Sequence, residues 1–441
     1  MIKKIAYTFL IVCCIIVTVG FFRYNPTVIF AGKVPVSAET VIHINLREIE
    51  YNILTSFLEH PLSQVDFKKS SAVKEKQRSL LDEIEVPSSV FLYTNQQEFK
   101  GFLISNKVSV KNDFVEVLKE TGFKEEKVGK TTIYRKQQIT CVVNNNKVQV
   151  LFKVDKSASV SKELIETLDK GNYFSDDAEI FSNIKKHKSP IAFSTNKGGF
   201  FKVLVDEGQL SVEGKLNENS DIFLPFKAGF ETDAIATISG KLNTEKLAKI
   251  LTENISEKFR KLTTLSLDSI TTKWNGAMDF NLSSFVEKSD TIVTYEYDDD
   301  FNKVEKKEIQ NTITPNVTFN LEGEGLCEYL HEKEVIKQVD DNEVLTLMPL
   351  FTTYSFCKEG GLQFASQKQP VLNEFKKLDD KFYFSFNVAK YQAKDRGIYS
   401  FKNNYLDKVQ VLQLSVVNNN QLKATIKLKN TSKNFFLQLL N

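Results

Sequence analysis

The sequence predicts an α+β fold: antiparallel or mixed β-sheets with helices packed on one face, after one N-terminal transmembrane helix. Internal echoes add two related halves as a reading of the same pattern. Three observations lead there. Alternating apolar segments recur at hairpin spacing, as in Ile139–Val143 and Val148–Val154 around Asn144-Asn145-Asn146, where asparagine suits a tight turn. Other stretches space their apolar residues three and four apart, as Ile49, Ile53, Leu54 and Phe57 do, which is one face of a helix. No glycine-tipped βαβ series indicates a parallel nucleotide-binding sheet.

Ile5 to Phe22 contains no charged residue, with Lys3 and Lys4 before it and Arg23 after it. Eighteen helical residues rise about 27 Å, close to the hydrocarbon thickness of a bilayer. The excess of positive charge before the segment places residues 1–4 in the cytoplasm. Residues 23–33 then form a tether, and the bulk of the chain is expected outside the membrane, on the periplasmic side of the inner membrane. A cleaved signal peptide is the rival reading, but Thr18-Val19-Gly20 is a poor cleavage site and the apolar run continues through Phe22. Cys13 and Cys14 do not make a lipoprotein signal, because the large Val12 stands where a small residue is needed.

Residues 34–220 read as a first α+β unit. It holds a strand ending at Leu46, a helix over 47–58 stopped by Pro61, and a second strand in VPSSVFLYT from Val86. A helix near 112–121 and three further strands follow. Residues 221–441 read as a second unit rich in β-meander. Ala234 begins a strand, Asn243-Thr244 caps a helix carrying Leu247, Ile250 and Leu251, and four strands are expected at 273–285, 291–297, 303–314 and 316–322. Strands at 409–417 and 422–428 and a short helix at 435–440 complete it. VVNNNKVQV and VVNNNQLKA, near the two ends, suggest related halves divided near 215–228.

Lys+Arg 58 against Asp+Glu 56 argues against a dedicated nucleic-acid surface. The basic runs Lys74–Arg78 and Lys185–Lys188 read as solvated faces rather than lipid-binding patches. The 35 Phe reflect compositional bias or, alternatively, line an apolar groove for a lipid.

Catalytic chemistry has few places to reside. Of four His, His43 reads as a strand residue, His60 as a helix-end residue and His187 as part of a solvated cluster. Cys327 and His331 stand four apart on an expected helix, and with Cys357 they are the candidate zinc ligands. Lacking a second close pair, this set is read instead as a core cysteine and a surface histidine. Outside the apolar segment Cys141, Cys327 and Cys357 are odd in number, so at least one is unpaired; buried free thiols are expected, with a Cys327–Cys357 bridge as the alternative. Asp298 to Asn302 resembles half a calcium loop, but Lys303 and Ile309 replace its glycine and its bidentate glutamate, so it reads as a hairpin turn. No catalytic or cofactor-binding residue is assigned, no cofactor is implied, and the chain is not read as an enzyme.

The apolar anchor, VPVSAETVIHINL just after it, the repeated strand starts and the Val-Val-Asn-Asn-Asn hairpin before a C-terminal helix resemble uncharacterised membrane-anchored envelope proteins of flavobacterial type. The shared opening pattern falls on Pro35, Ser37, Ala38, Asn45 and Leu46. The resemblance implies an envelope location and carries over no functional residue. The expected function is a membrane-tethered binding or scaffold protein, whose partners are the membrane through residues 5–22 and an envelope protein or lipid. A lipid-handling protein is the alternative and a metal-dependent enzyme the third reading.

Overall fold

The strand Thr40–Asn45 (β1) shows how this sequence builds its sheets. Val41, His43 and Asn45 are buried and the residues between them only half-buried, the period of two that pleating imposes. Asn45 then starts a helix: its side-chain oxygen accepts from the Glu48 amide at 3.1 Å and caps α1 (Leu46–Glu59). The protein is α+β throughout.

The structure, a computed structural model, describes residues 30–31, 33–60, 89–95, 99–107, 111–128, 131–144, 147–153, 173–216, 221–250, 253–297, 301–348, 351–369, 376–394, 406–417 and 419–440. The apolar segment 5–22, the basic run 74–78 and Asp298–Asp300 lie outside them. Among the described residues no helix is long and apolar enough to cross a membrane. The chain divides into two compact units, one of residues 1–218 and 430–441, the other of 219–429.

In the first unit β1 and α1 are followed by β2 (Ser89–Asn95), β3 (Phe99–Lys107), α2 (Lys111–Glu120), β4 (Lys124–Val128), β5 (Thr131–Lys136), β6 (Ile139–Asn144) and β7 (Lys147–Lys153). Then come α3 (Glu179–Lys186), β8 (Ile191–Thr195), β9 (Phe200–Asp206) and β10 (Gln209–Lys215). All pairings are antiparallel and give the order β4-β5-β6-β7-β3-β2-β1-β8-β9-β10. Alternation divides β5–β7 between two cores. Ile133, Val142 and Leu151 meet Ile180, Phe181 and Ile184 of α3, whereas Tyr134, Cys141, Val143 and Val148 meet Phe114 and Leu118 of α2. Helices thus cover both faces of these strands, one more than the single face expected.

Residues 430–441 belong to this unit rather than to the second, where the sequence reading put them. Buried Asn434 donates to Ser56 Oγ at 3.0 Å, and the Lys433 carbonyl accepts from the Gly208 amide at 2.8 Å. Gly208 sits at φ +59°, and a Cβ there would meet the Asn430 oxygen, so only glycine fits this turn.

The second unit contains β11 (Gly229–Phe230), β12 (Ala236–Lys241), α4 (Thr244–Ile250), α5 (Glu253–Thr263), α6 (Leu267–Lys273), β13 (Trp274–Tyr297), β14 (Lys303–Gly323) and α7 (Leu326–Glu332). β15 (Ile336–Val339), β16 (Asn342–Leu345), β17 (Tyr354–Lys358) and β18 (Gly361–Ala365) follow, then β19 (Lys376–Lys377), β20 (Asp380–Asn387), α8 (Val388–Lys394), β21 (Val409–Val417) and β22 (Gln421–Leu428). β11 and β19 form a small ribbon of their own. The remaining strands run antiparallel in the order β15-β16-β17-β18-β14-β13-β12-β20-β21-β22. Numbered along each main sheet, both units read 4-5-6-7-3-2-1-8-9-10.

The agreement extends to detail after strand 3. In α2 the amides of Thr121, Gly122 and Phe123 bond to the carbonyls of Val117, Lys119 and Leu118; in α7 those of Lys333, Glu334 and Val335 bond to Tyr329, His331 and Leu330. Gly122 at φ +86° and Glu334 at φ +55° end these helices in the same left-handed way. The Asn-Asn-Asn echo is not part of this repeat: it joins strands 6 and 7 in one unit and strands 9 and 10 in the other.

Candidate functional site

Two features of the second unit stand apart from the shared scaffold. In α7 the positions Leu326, Tyr329 and Leu330, spaced for one face, bury against Val335, Ile336, Leu362 and Phe364. The Tyr329 hydroxyl accepts from the Ser266 amide at 3.0 Å, which fixes the helix further. Cys327 and His331, one turn apart, are thereby held on the neighbouring face, above β16 and β17.

Those strands supply the other members. Cys357 on β17 forms a disulfide with Cys327 across a Cα separation of 6.0 Å. This corrects the expectation of two buried free thiols: Cys357 is exposed and Cys327 half-buried. His331 Nε2 lies 3.3 Å from Glu343 Oε1 and 4.0 Å from Cys357 Sγ, and Glu343 Oε2 lies 3.7 Å from the same sulfur. The Ser355 hydroxyl reaches Glu343 at 3.4 Å. The three residues weighed as zinc ligands are therefore brought together, within 4.8 Å of one another, although the disulfide occupies both sulfurs. Glu343 was missed because a strand register, invisible in local spacing, delivers it.

Among the described residues the free thiol is Cys141, buried, and burial pushes its pKa up to about 12, so it is an inert core group. His43 is buried too, stacked on Phe91 at 4.9 Å with Nε2 3.1 Å from Ser89 Oγ; loss of solvation lowers its pKa to about 4. His60 faces half-buried Glu207 at 3.5 Å beside exposed Glu59, a grouping that the sequence reading did not find. His187, expected in a solvated cluster, stacks on Phe200 at 5.3 Å, and burial together with Lys202 and Lys186 lowers its pKa.

The second feature is a ribbon. The sequence reading divided 273–322 into four strands, but the chain forms two, β13 and β14. β12 pairs with β13 only as far as Leu282, and β18 with β14 only from Thr318. From Ser284↔Asn316 to Tyr297↔Lys303 the two strands continue pairing with each other, a length of about 45 Å for 14 residue pairs. Direct partners share a face, so Val293, Tyr295, Tyr297 and Ile309 lie on one side together with Lys303, Glu305 and Lys307, and Glu296, Val304, Lys306 and Glu308 on the other. Lys306 bridges Glu296 at 2.6 Å and Glu308 at 3.2 Å, while Lys303 sits 3.8 Å above the Tyr295 ring. The large apolar groups of the tyrosine-bearing side are exposed among these charges: Tyr297 is 70% and Ile309 75% exposed, and Phe301 at the turn 85%.

No protein-family model and no curated protein matches the chain. Solved structures titled as crystal forms of TP0453 are similar to it only distantly. Form IV has 12% identity and a TM-score of 0.27, covering 42% of this chain and 82% of that one. Form I has 10% identity and a TM-score of 0.23, covering 76% and 93%. Form III has 11% identity and the same TM-score, covering 75% and 92%.

Proposed function

We propose that this chain is a membrane-tethered, extracytoplasmic binding protein of the cell envelope, which docks a protein partner on the tyrosine-bearing face of the β13–β14 ribbon. The observation that supports it is the aromatic row Tyr295–Tyr297 with Ile309 and Phe301, held in solvent far beyond the sheet. A two-stranded hairpin is marginal on its own, and large exposed apolar side chains cost solubility unless something covers them. Tyrosine-rich patches supply contact area at little conformational cost and are enriched at protein interfaces. The uncharged run Ile5–Phe22 supplies the tether.

A photoreactive amino acid at Ile309, in the full chain at native abundance in cells, tests the reading. A discrete protein adduct is expected from position 309 and not from Glu308 on the opposite face. Protein adducts absent from both positions, or lipid adducts alone, would remove it, the latter in favour of lipid handling.

A further inference from the structure

The cluster on α7, β16 and β17 contains two donor sets in one: a disulfide, and, once that bond is opened, four metal ligands. We propose that Cys327, His331, Glu343 and Cys357 form a redox-gated zinc site, shut as the disulfide and competent for one Zn²⁺ when reduced. A tetrahedral zinc with bonds of about 2.0–2.3 Å has donors roughly 3.3–3.8 Å apart. His331 Nε2 to Glu343 Oε1 is 3.3 Å, Cys357 Sγ to Glu343 Oε2 3.7 Å and Cys357 Sγ to His331 Nε2 4.0 Å, so a turn of the carboxylate offers one oxygen to both. Two sulfurs, one imidazole and one carboxylate are a donor set zinc accepts. On reduction the two sulfurs must part and the Glu343 carboxylate must turn toward Cys327, side-chain movements that leave α7 in place, because that helix is held by its own core contacts at Leu326, Tyr329 and Leu330.

The exchange balances. A dithiol reductant attacks the exposed Cys357 sulfur as thiolate, giving a mixed disulfide and releasing Cys327; its second thiol then displaces Cys357. Two electrons and two protons pass to the protein, and the reductant leaves as its own cyclic disulfide. Zinc binding then displaces both thiol protons to solvent.

The scaffold does not explain the cluster. The positions of the first unit matching Cys327 and His331, by the shared helix-end pattern, are Val115 and Lys119, and Lys119 is engaged with Glu125 at 2.8 Å. Chemistry has been placed on one copy of the helix only.

The test uses the full chain in detergent, reduced with an immobilised dithiol without oxygen and titrated with Co²⁺ as a spectroscopic stand-in for zinc. The reduced protein should bind one Co²⁺ with tetrahedral ligand-field bands and a thiolate charge-transfer band, and Zn²⁺ should bleach both. Air-oxidised protein should show neither. His331→Ala and Glu343→Gln, both at surface positions, should each weaken Co²⁺ binding at least about tenfold, as even outer-shell losses do. Binding that is the same in oxidised and reduced protein, absent from both, or unchanged in both variants would overturn the proposal. A Cys327→Ser/Cys357→Ser chain that still gave the thiolate band would do so as well.

Discussion

The two units share one strand order, yet the first carries its strand 2–3 connection as a short hairpin and the second extends it into a ribbon of about 45 Å. Their helices after strand 3 end with the same hydrogen bonds, but one exposes Lys119 and the other His331, one turn from half-buried Cys327. A sheet whose order is set by hairpin connectivity and two-faced burial tolerates change where side chains leave the core. New surface chemistry therefore collects at loops, helix backs and hairpin tips.

Equivalent cuts should have equivalent effects. Leu118 and Leu330 occupy the same place in α2 and α7 and are buried. Leu118→Ala should cost about 3–5 kcal/mol and loosen hydrogen-exchange protection in β5–β7, while Leu330→Ala should act likewise on β15–β18. An unequal response would show that the helices carry different shares of their cores.

The disulfide should make the units differ. Closing a 30-residue loop is worth about 3.6 kcal/mol, so Cys327→Ser with Cys357→Ser should lower the stability of the second unit by that order. Differential hydrogen exchange at β17 against β6 reads it directly. Retained protection at β17 would mean that core packing alone fixes the strand.

Acid should separate them by sign. His43 is neutral in the folded first unit with a pKa near 4, against 6.5 when unfolded. Its contribution is intact above pH 6.5 and falls as pH drops toward 4, by about 3 kcal/mol in all, because the unfolded chain takes up the proton first. His43→Phe should flatten that slope in urea unfolding followed across pH. In the second unit burial raises the pKa of Asp279 and Asp380, so acidification through their folded values relieves a cost instead. A wild-type slope that survives His43→Phe would move the acid sensitivity elsewhere.

The smallest effect concerns the left-handed helix ends. Gly122 takes this backbone without strain; Glu334 does not. Glu334→Gly should stabilise the second unit by up to about 1 kcal/mol in thermal unfolding, since the exposed ion pair with Lys337 that it removes contributes little.

Much of the scaffold was legible in the sequence. The helix expected at 47–58 occupies Leu46–Glu59, and the one near 112–121 occupies Lys111–Glu120, the first because the apolar spacing of Ile49, Ile53, Leu54 and Phe57 declares it locally. The Asn243 cap, whose side-chain oxygen accepts from the Lys246 amide at 3.1 Å, was equally plain. What failed was non-local. The matching Asn-Asn-Asn turns mark two hairpins of the same kind rather than the same hairpin, and the real repeat lies in an order of pairing that no short motif encodes. The Cys327–Cys357 bond was legible only as the alternative to free thiols, since nothing local says that β17 will pass beneath α7. Glu343 joins it through the same pairing.

Residues 430–441 have a further consequence, in time rather than in space. Asn434 reaches Ser56 across 378 positions of chain, so the first unit lacks one of its parts until all of 219–429 has been made. At ordinary synthesis rates of roughly 5–20 residues per second, that is a wait of about 10–40 seconds. During it the end of α1 and the β9–β10 turn stand open, and a chaperone meeting the nascent protein would find them before their own C-terminal segment does.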